Sequence, residues 1–136
     1  MADTPSYVLD TFALLALVQD EPGAGRVQRL LAGIGAGEVA LHMCAMNAAE
    51  ALDILWRRSD ELTARVMIAD LGIIGVQFHD ATLQLSLQAG ALKAQYPMAL
   101  GDCYAAALAQ QLDATLVTGD PELRQVEDVV RIEWLC

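Results

Sequence analysis

The chain alternates short β-forming runs with longer helix-patterned segments, and nothing else in it constrains the fold as much. Residues 7–10 read as a first strand and 11–19 as a first helix, which Glu21-Pro22-Gly23 breaks. A second helix runs from Gly25 to Leu31, with Val27, Leu30 and Leu31 on one face. The glycine-rich stretch Gly33 to Gly37 ends it, and Glu38 to His42 is a second strand. From Met46 to Arg58 the apolar residues Ala48, Ala51, Leu52 and Leu55 recur at helical spacing. Asp60-Glu61-Leu62 opens another helix with acids in its first turn, where the dipole favours them, and Gly72 closes it. Residues 73–78 read as a third strand. Asp80 caps a helix reaching about Tyr96, and Pro97 stops it. Gly101-Asp102 begins an alanine-rich helix, residues 114–118 are a fourth strand, 121–127 a helical turn, and 129–132 a fifth strand. Strands joined by helical crossovers pair in parallel, and a parallel sheet is covered on both faces. The expected fold is a three-layer α/β/α sandwich with a mostly parallel five-stranded sheet, in one domain over 1–136.

At 136 residues with 55% hydrophobic side chains, the chain needs no disulfides to build a core. Its start, Met1-Ala2-Asp3-Thr4-Pro5, is polar and acidic, unlike a signal peptide, and no apolar run is long enough to span a bilayer. Cys44, Cys103 and Cys136 are odd in number and widely spaced, which fits a reducing cytoplasm better than a disulfide framework or a zinc site. Cys103, beside Asp102, reads as a small buried apolar residue. The net charge is −10, with only eight Lys plus Arg. A large basic face is excluded, so any nucleic-acid function must use metal ions, a local arginine cluster or a partner.

The polar residues that matter sit where strands end and helices begin. Asp10 ends the first strand, and Asp120 follows the fourth in Thr118-Gly119-Asp120. In open parallel sheets ligands bind at the carboxyl ends of strands. The helices after the strands start on that same edge, so Asp102 and Glu50 can join Asp10 and Asp120 there. Asn47 lies three residues before Glu50, close to one helix face. Singly, each acid is explained as a helix cap or a solvated residue. Asp113 fits a plain turn, and Asp53, Asp60, Glu61 and Asp70 fit a solvated helical face. Together, four bare carboxylates would repel and raise one another's pKa. A hard divalent cation such as Mg²⁺ or Mn²⁺ removes that cost. Thr11 and Thr118 stand beside two of the acids and could orient them.

This ordered set resembles the PIN domain family, and within it the small VapC-like toxins. The matching stretches are Val8-Leu9-Asp10-Thr11, Asn47-Ala48-Ala49-Glu50, Gly101-Asp102 with its alanine-rich helix, and Leu116-Val117-Thr118-Gly119-Asp120-Pro121. The resemblance covers essentially the whole chain. It implies a sheet of order 3-2-1-4-5 and a Mg²⁺- or Mn²⁺-dependent ribonuclease that cleaves RNA. It further implies a homodimer, inhibited by an antitoxin peptide that presents an Arg or Lys to the acidic edge. Carried over by position, Asp10, Glu50, Asp102 and Asp120 are the catalytic and metal-site acids, with Thr11, Asn47 and Thr118 in support.

Competing functions fit less well. Haloacid-type phosphatases want a second Asp two residues after the nucleophile, where Phe12 stands. Receivers want paired acids after strand one and a late lysine, and the only lysine is Lys93. No Gly-x-Gly-x-x-Gly follows the first strand. A PIN-type nuclease of RNA processing, or a non-catalytic α/β binding module, remains as an alternative, and the intact acid set argues against the module. His42 and His79 have no second His or Cys at ligand spacing, and each reads as a hydrogen-bonded or solvent-facing side chain. Trp56-Arg57-Arg58 reads first as a half-buried Trp with arginines at a helix C-terminus.

Overall fold

The central strand β1 (Ser6–Leu9) is flanked by β2 (Ala40–Cys44) and β4 (Thr115–Thr118), with β3 (Gln77–His79) outside β2 and β5 (Ile132–Trp134) outside β4. All four pairings are parallel, with Val8 opposite both His42 and Leu116. The sheet therefore has the order 3-2-1-4-5 expected from the sequence. The computed structural model describes residues 4–136, so Met1-Ala2-Asp3 of the polar start lies outside the described residues.

Helices α1 (Thr11–Val18), α2 (Ala24–Gly35), α3 (Ala45–Arg58), α4 (Glu61–Ile74), α5 (Leu83–Gln95) and α6 (Leu100–Leu112) cover the sheet. Strand alternation divides the core into two. Val8, Cys44 and Leu116 face a cluster built with α5, α6 and a 3-10 segment, Pro121–Val126. Leu9, Leu41, Met43 and Val117 face a second cluster built with α1, α2 and parts of α3 and α4. Ala105 to Ala109 of α6 are all buried, because small side chains let that helix lie close on β1, β2 and β4. Among the described residues no helix is long and apolar enough to cross a membrane.

Several boundaries differ from the expectation, each for a local reason. Ile73 and Ile74 belong to the last turn of α4, which runs on to Gly75 at φ 128°. A β-branched pair looks like a strand, yet Ile73 is 81% exposed, and β3 shrinks to Gln77–His79. The second strand starts two residues late because Gly37, at φ 73°, folds Glu38 N–H back onto the Gly33 carbonyl. Residues 129–130 close a turn onto the Val126 carbonyl, which moves β5 to Ile132–Trp134. Thr82, not Asp80, caps α5 by accepting from Leu85 N–H at 3.1 Å.

Candidate metal centre

Asp10 follows β1 and caps α1, accepting from Ala13 N–H at 2.8 Å. The strand buries it to 1% exposure. Its other oxygen accepts from the Thr118 hydroxyl at 2.5 Å. Burial, against these two bonds, pushes the Asp10 carboxyl up to about 7, and the nearby Asp120 charge adds to the rise.

Thr118 ends β4 fully buried, and its hydroxyl oxygen also accepts from Asp120 N–H at 3.0 Å. One side chain thus ties the ends of β1 and β4 together. Asp120 caps the 3-10 segment, accepting from Glu122 N–H at 3.0 Å, and Pro121 presets the turn. Asp10 and Asp120 are therefore both helix caps, and they stand near enough for the Asp120 charge to raise the Asp10 carboxyl.

Asp102 lies in the first turn of α6. One carboxylate oxygen from each of Asp102, Asp120 and Glu122 lies within 4.8 Å of the other two. Asp102 Oδ2 is buried with no hydrogen-bond partner among the described residues. Burial first, then the Asp120 charge, the hydrogen bonds that a protonated Asp102 can donate to Glu122 and Asp120, and the Asp10 charge, push its carboxyl up to about 8. A buried acceptor without a donor, among like charges, is costly for a protein alone. A hard cation bound by a few carboxylates satisfies both demands, so the donor set fits a divalent ion.

Glu50, in the second turn of α3, stands to one side. Its Oε1 accepts from the Thr11 hydroxyl at 2.9 Å and from Asn47 Nδ2 at 3.3 Å. Asn47 Nδ2 also donates to the Gly101 carbonyl at 3.1 Å, which joins α3 to α6. Thr11, next to Asp10 in sequence, thus bonds Glu50 instead, together with Asn47, while Thr118 bonds Asp10. The close cluster itself joins Asp102 and Asp120 with Glu122, while Asp10 adjoins it through Thr118.

Sequence reasoning misses Glu122, because it is exposed and looks like an ordinary acid in a first turn. The usable signal is its place two residues after Asp120 across a proline. Its Oε2 accepts from Ala99 N–H at 3.3 Å, which pins it to the start of α6.

The histidines meet each other, which their spacing in the chain does not show. His42 Nδ1 and His79 Nε2 lie 2.8 Å apart, a pair made by adjacent strands. Burial, then the charge of His79, lowers the His42 pKa. Trp56 is 42% exposed, with the Arg65 guanidinium 5.7 Å from its ring centre. Among the described residues, five of the eight Lys and Arg are in ion pairs with acids of the chain.

The PIN domain family model matches residues 7–129. A search of the curated proteins returns no match. Among solved structures, the chain is similar to the DNA-bound VapBC of Salmonella typhimurium at 17% identity and TM-score 0.75, over 97% of this chain and 99% of that one. It is similar to a toxin–antitoxin complex from Klebsiella pneumoniae at 15% identity and TM-score 0.70, over 96% and 98%. It is also similar to VapC20 of Mycobacterium tuberculosis, a sarcin–ricin loop cleaving toxin, at 17% identity and TM-score 0.71, over 88% and 94%. At these identities the likeness is one of fold.

Proposed function

The chain belongs to the PIN domain family, and we propose that it is a divalent-metal-dependent ribonuclease, the toxin of a toxin–antitoxin pair. The observation that carries this is the buried, unpartnered Asp102 Oδ2 inside the close group of Asp102, Asp120 and Glu122. Asp102, Asp120 and Glu122 would hold the ion, Mg²⁺ or Mn²⁺, with Asp10 and Glu50 beside it. When bound, the ion supplies activation of a water and stabilisation of charge on the phosphate. Thr118 fixes the distance between Asp10 and the Asp120 backbone. Thr11 and Asn47 hold Glu50 in one rotamer. With five of its cations in ion pairs among the described residues, the chain relies on the metal to attract RNA phosphates to an acidic edge.

The toxin assignment follows the toxin–antitoxin complex and the RNA-loop-cleaving toxin among the similar structures. The antitoxin presents an Arg or Lys to the acidic edge, where a cation takes the place of the metal's charge. The protein acts as a homodimer in the cytoplasm, where Cys44, Cys103 and Cys136 stay free. The test is cleavage of a structured RNA by the purified chain in Mg²⁺, in Mn²⁺ and in EDTA, beside Asp102→Asn. Cleavage that needs the ion and is lost in the variant supports the proposal. Cleavage indifferent to EDTA and to Asp102→Asn removes it. Growth arrest on expression, relieved by Asp102→Asn, separates a toxin from an RNA-processing nuclease.

A further inference from the structure

Helix α6 begins without a side-chain cap, since Ala99 at its N-cap has nothing to offer the free N–H groups. Two acids from elsewhere stand there instead. Glu122 accepts from Ala99 N–H, and the Glu50 carboxylate from α3 lies against Gly101. A β-carbon added at Gly101 would stand 2.5 Å from Glu50 Cδ and 2.6 Å from its Oε2. Real β-carbons do not come so close to a carboxylate.

The backbone does not ask for glycine here. Gly101 is helical and is not among the glycines with positive φ, which are Gly23, Gly37 and Gly75. Glycine in a helix is less stable than alanine. The space it leaves is filled by one group, the Glu50 carboxylate, and the Gly101 carbonyl accepts from Asn47, which also holds Glu50.

We propose that Gly101 is a positioning residue: its missing β-carbon is the seat of Glu50, and it fixes that carboxylate at the start of α6, the helix whose first turn carries Asp102. The inference rests on the metal-dependent reading of the acidic edge for its consequence, though not for its geometry. The far end of a flexible side chain gives way more easily than a helix does. Gly101→Ala therefore folds, and Glu50 is displaced from Thr11 and Asn47.

The experiment is a double-mutant cycle on the full chain: Gly101→Ala, Glu50→Ala and the two together, melted in EDTA. With Glu50 truncated, the β-carbon introduced by Gly101→Ala meets no carboxylate, and the higher helix propensity of alanine raises Tm. With Glu50 intact, the same substitution lowers Tm or raises it less. Equal shifts in the two backgrounds overturn the proposal. Calorimetric titration with Mn²⁺ reads the consequence. Gly101→Ala is expected to bind at least tenfold more weakly, in a chain whose circular dichroism is that of the parent. Glu50→Asp, one methylene shorter, withdraws the carboxylate from the added carbon. Adding Gly101→Ala to Glu50→Asp then costs no further affinity. Parent-like Mn²⁺ affinity in Gly101→Ala overturns the positioning role. If the parent itself neither binds Mn²⁺ nor cuts RNA, the nuclease reading falls, and the melting cycle still decides whether Glu50 is seated on Gly101.

Discussion

Thr118 and Asp10, 108 residues apart, are joined by a buried hydrogen bond across the ends of β4 and β1. The same Thr118 oxygen receives Asp120 N–H, so one hydroxyl fixes both a carboxylate and the backbone of a second acid. Thr118→Val keeps the shape and removes this link. The expected loss is about 1–3 kcal/mol, the cost of leaving buried polar groups unpaired. The bond favours ionised Asp10, so the loss is larger at pH 8 than at pH 5. Thr118→Ser keeps the hydroxyl and loses less. Urea unfolding of both variants at the two pH values checks this, and a pH-independent loss would contradict it.

The metal-free protein is expected to lose stability as pH rises. The Asp10 and Asp102 carboxyls stand near 7 and 8 in the fold, above the ordinary carboxylate value they take when unfolded. A raised folded pKa stabilises fully below the unfolded value, and that stabilisation is lost as pH climbs through the folded one. The window is therefore about pH 4 to pH 8, at up to about 1.4 kcal/mol per pH unit for each group that titrates. Mg²⁺ or Mn²⁺ reverses the trend, adding about 2.7 kcal/mol at a hundred times its dissociation constant. Melting in EDTA and in excess Mn²⁺ across this window is the measurement. Coincident curves would remove the metal from the site.

His42 works in the opposite sense. Its pKa is depressed by burial and by His79. The unfolded chain takes up the proton first, so this contribution is intact above about 6.5 and is lost as pH falls through the lower folded value. His79→Gln removes the smaller cause and keeps the burial. The His42 resonance is then expected to titrate at a higher pH than in the parent, still below the ordinary value. An NMR titration decides it; an unchanged midpoint would mean that His79 exerts no influence.

What is legible in the sequence is periodic or terminal. The sheet order follows from alternation and resemblance, and the place of Asp10 from a strand that stops on a carboxylate. Ile73-Ile74 misleads because β-branched side chains fit a strand, while the actual stop is one residue on, at Gly75, where an added β-carbon would overlap Ile34. That close approach is a tertiary fact. The His42–His79 pair joins residues 37 apart on adjacent strands, and no local spacing encodes which side chains meet across a parallel sheet. Glu122 joins the acidic group because Asp120 caps the 3-10 turn by accepting from Glu122 N–H, which holds the two residues together across Pro121. Gly101 looks like a helix-start residue, and its neighbour Glu50 comes from another helix.

Asp120 and Asp113 form the comparison that separates catalysis from folding. Asp120 accepts a capping bond from Glu122 N–H, and an amide oxygen can accept the same bond. Asp120→Asn therefore keeps the 3-10 turn and removes one negative charge from the group with Asp102 and Glu122. Metal-free stability is expected to hold or rise, because the Asp120 charge is one of the causes that raise Asp102. Metal affinity is expected to fall by at least about tenfold to a hundredfold, the range seen when even outer groups around an ion are changed, and RNA cleavage falls with it. Asp113 sits at φ 51°, a conformation asparagine tolerates, and pairs with Arg131 at 3.0 Å on the exposed surface. Asp113→Asn should cost less than about 1 kcal/mol and leave cleavage unchanged. Both variants are to be melted in EDTA and assayed in Mn²⁺. Full activity in Asp120→Asn, or activity lost only because the chain unfolds, would make Asp120 a cap and nothing more.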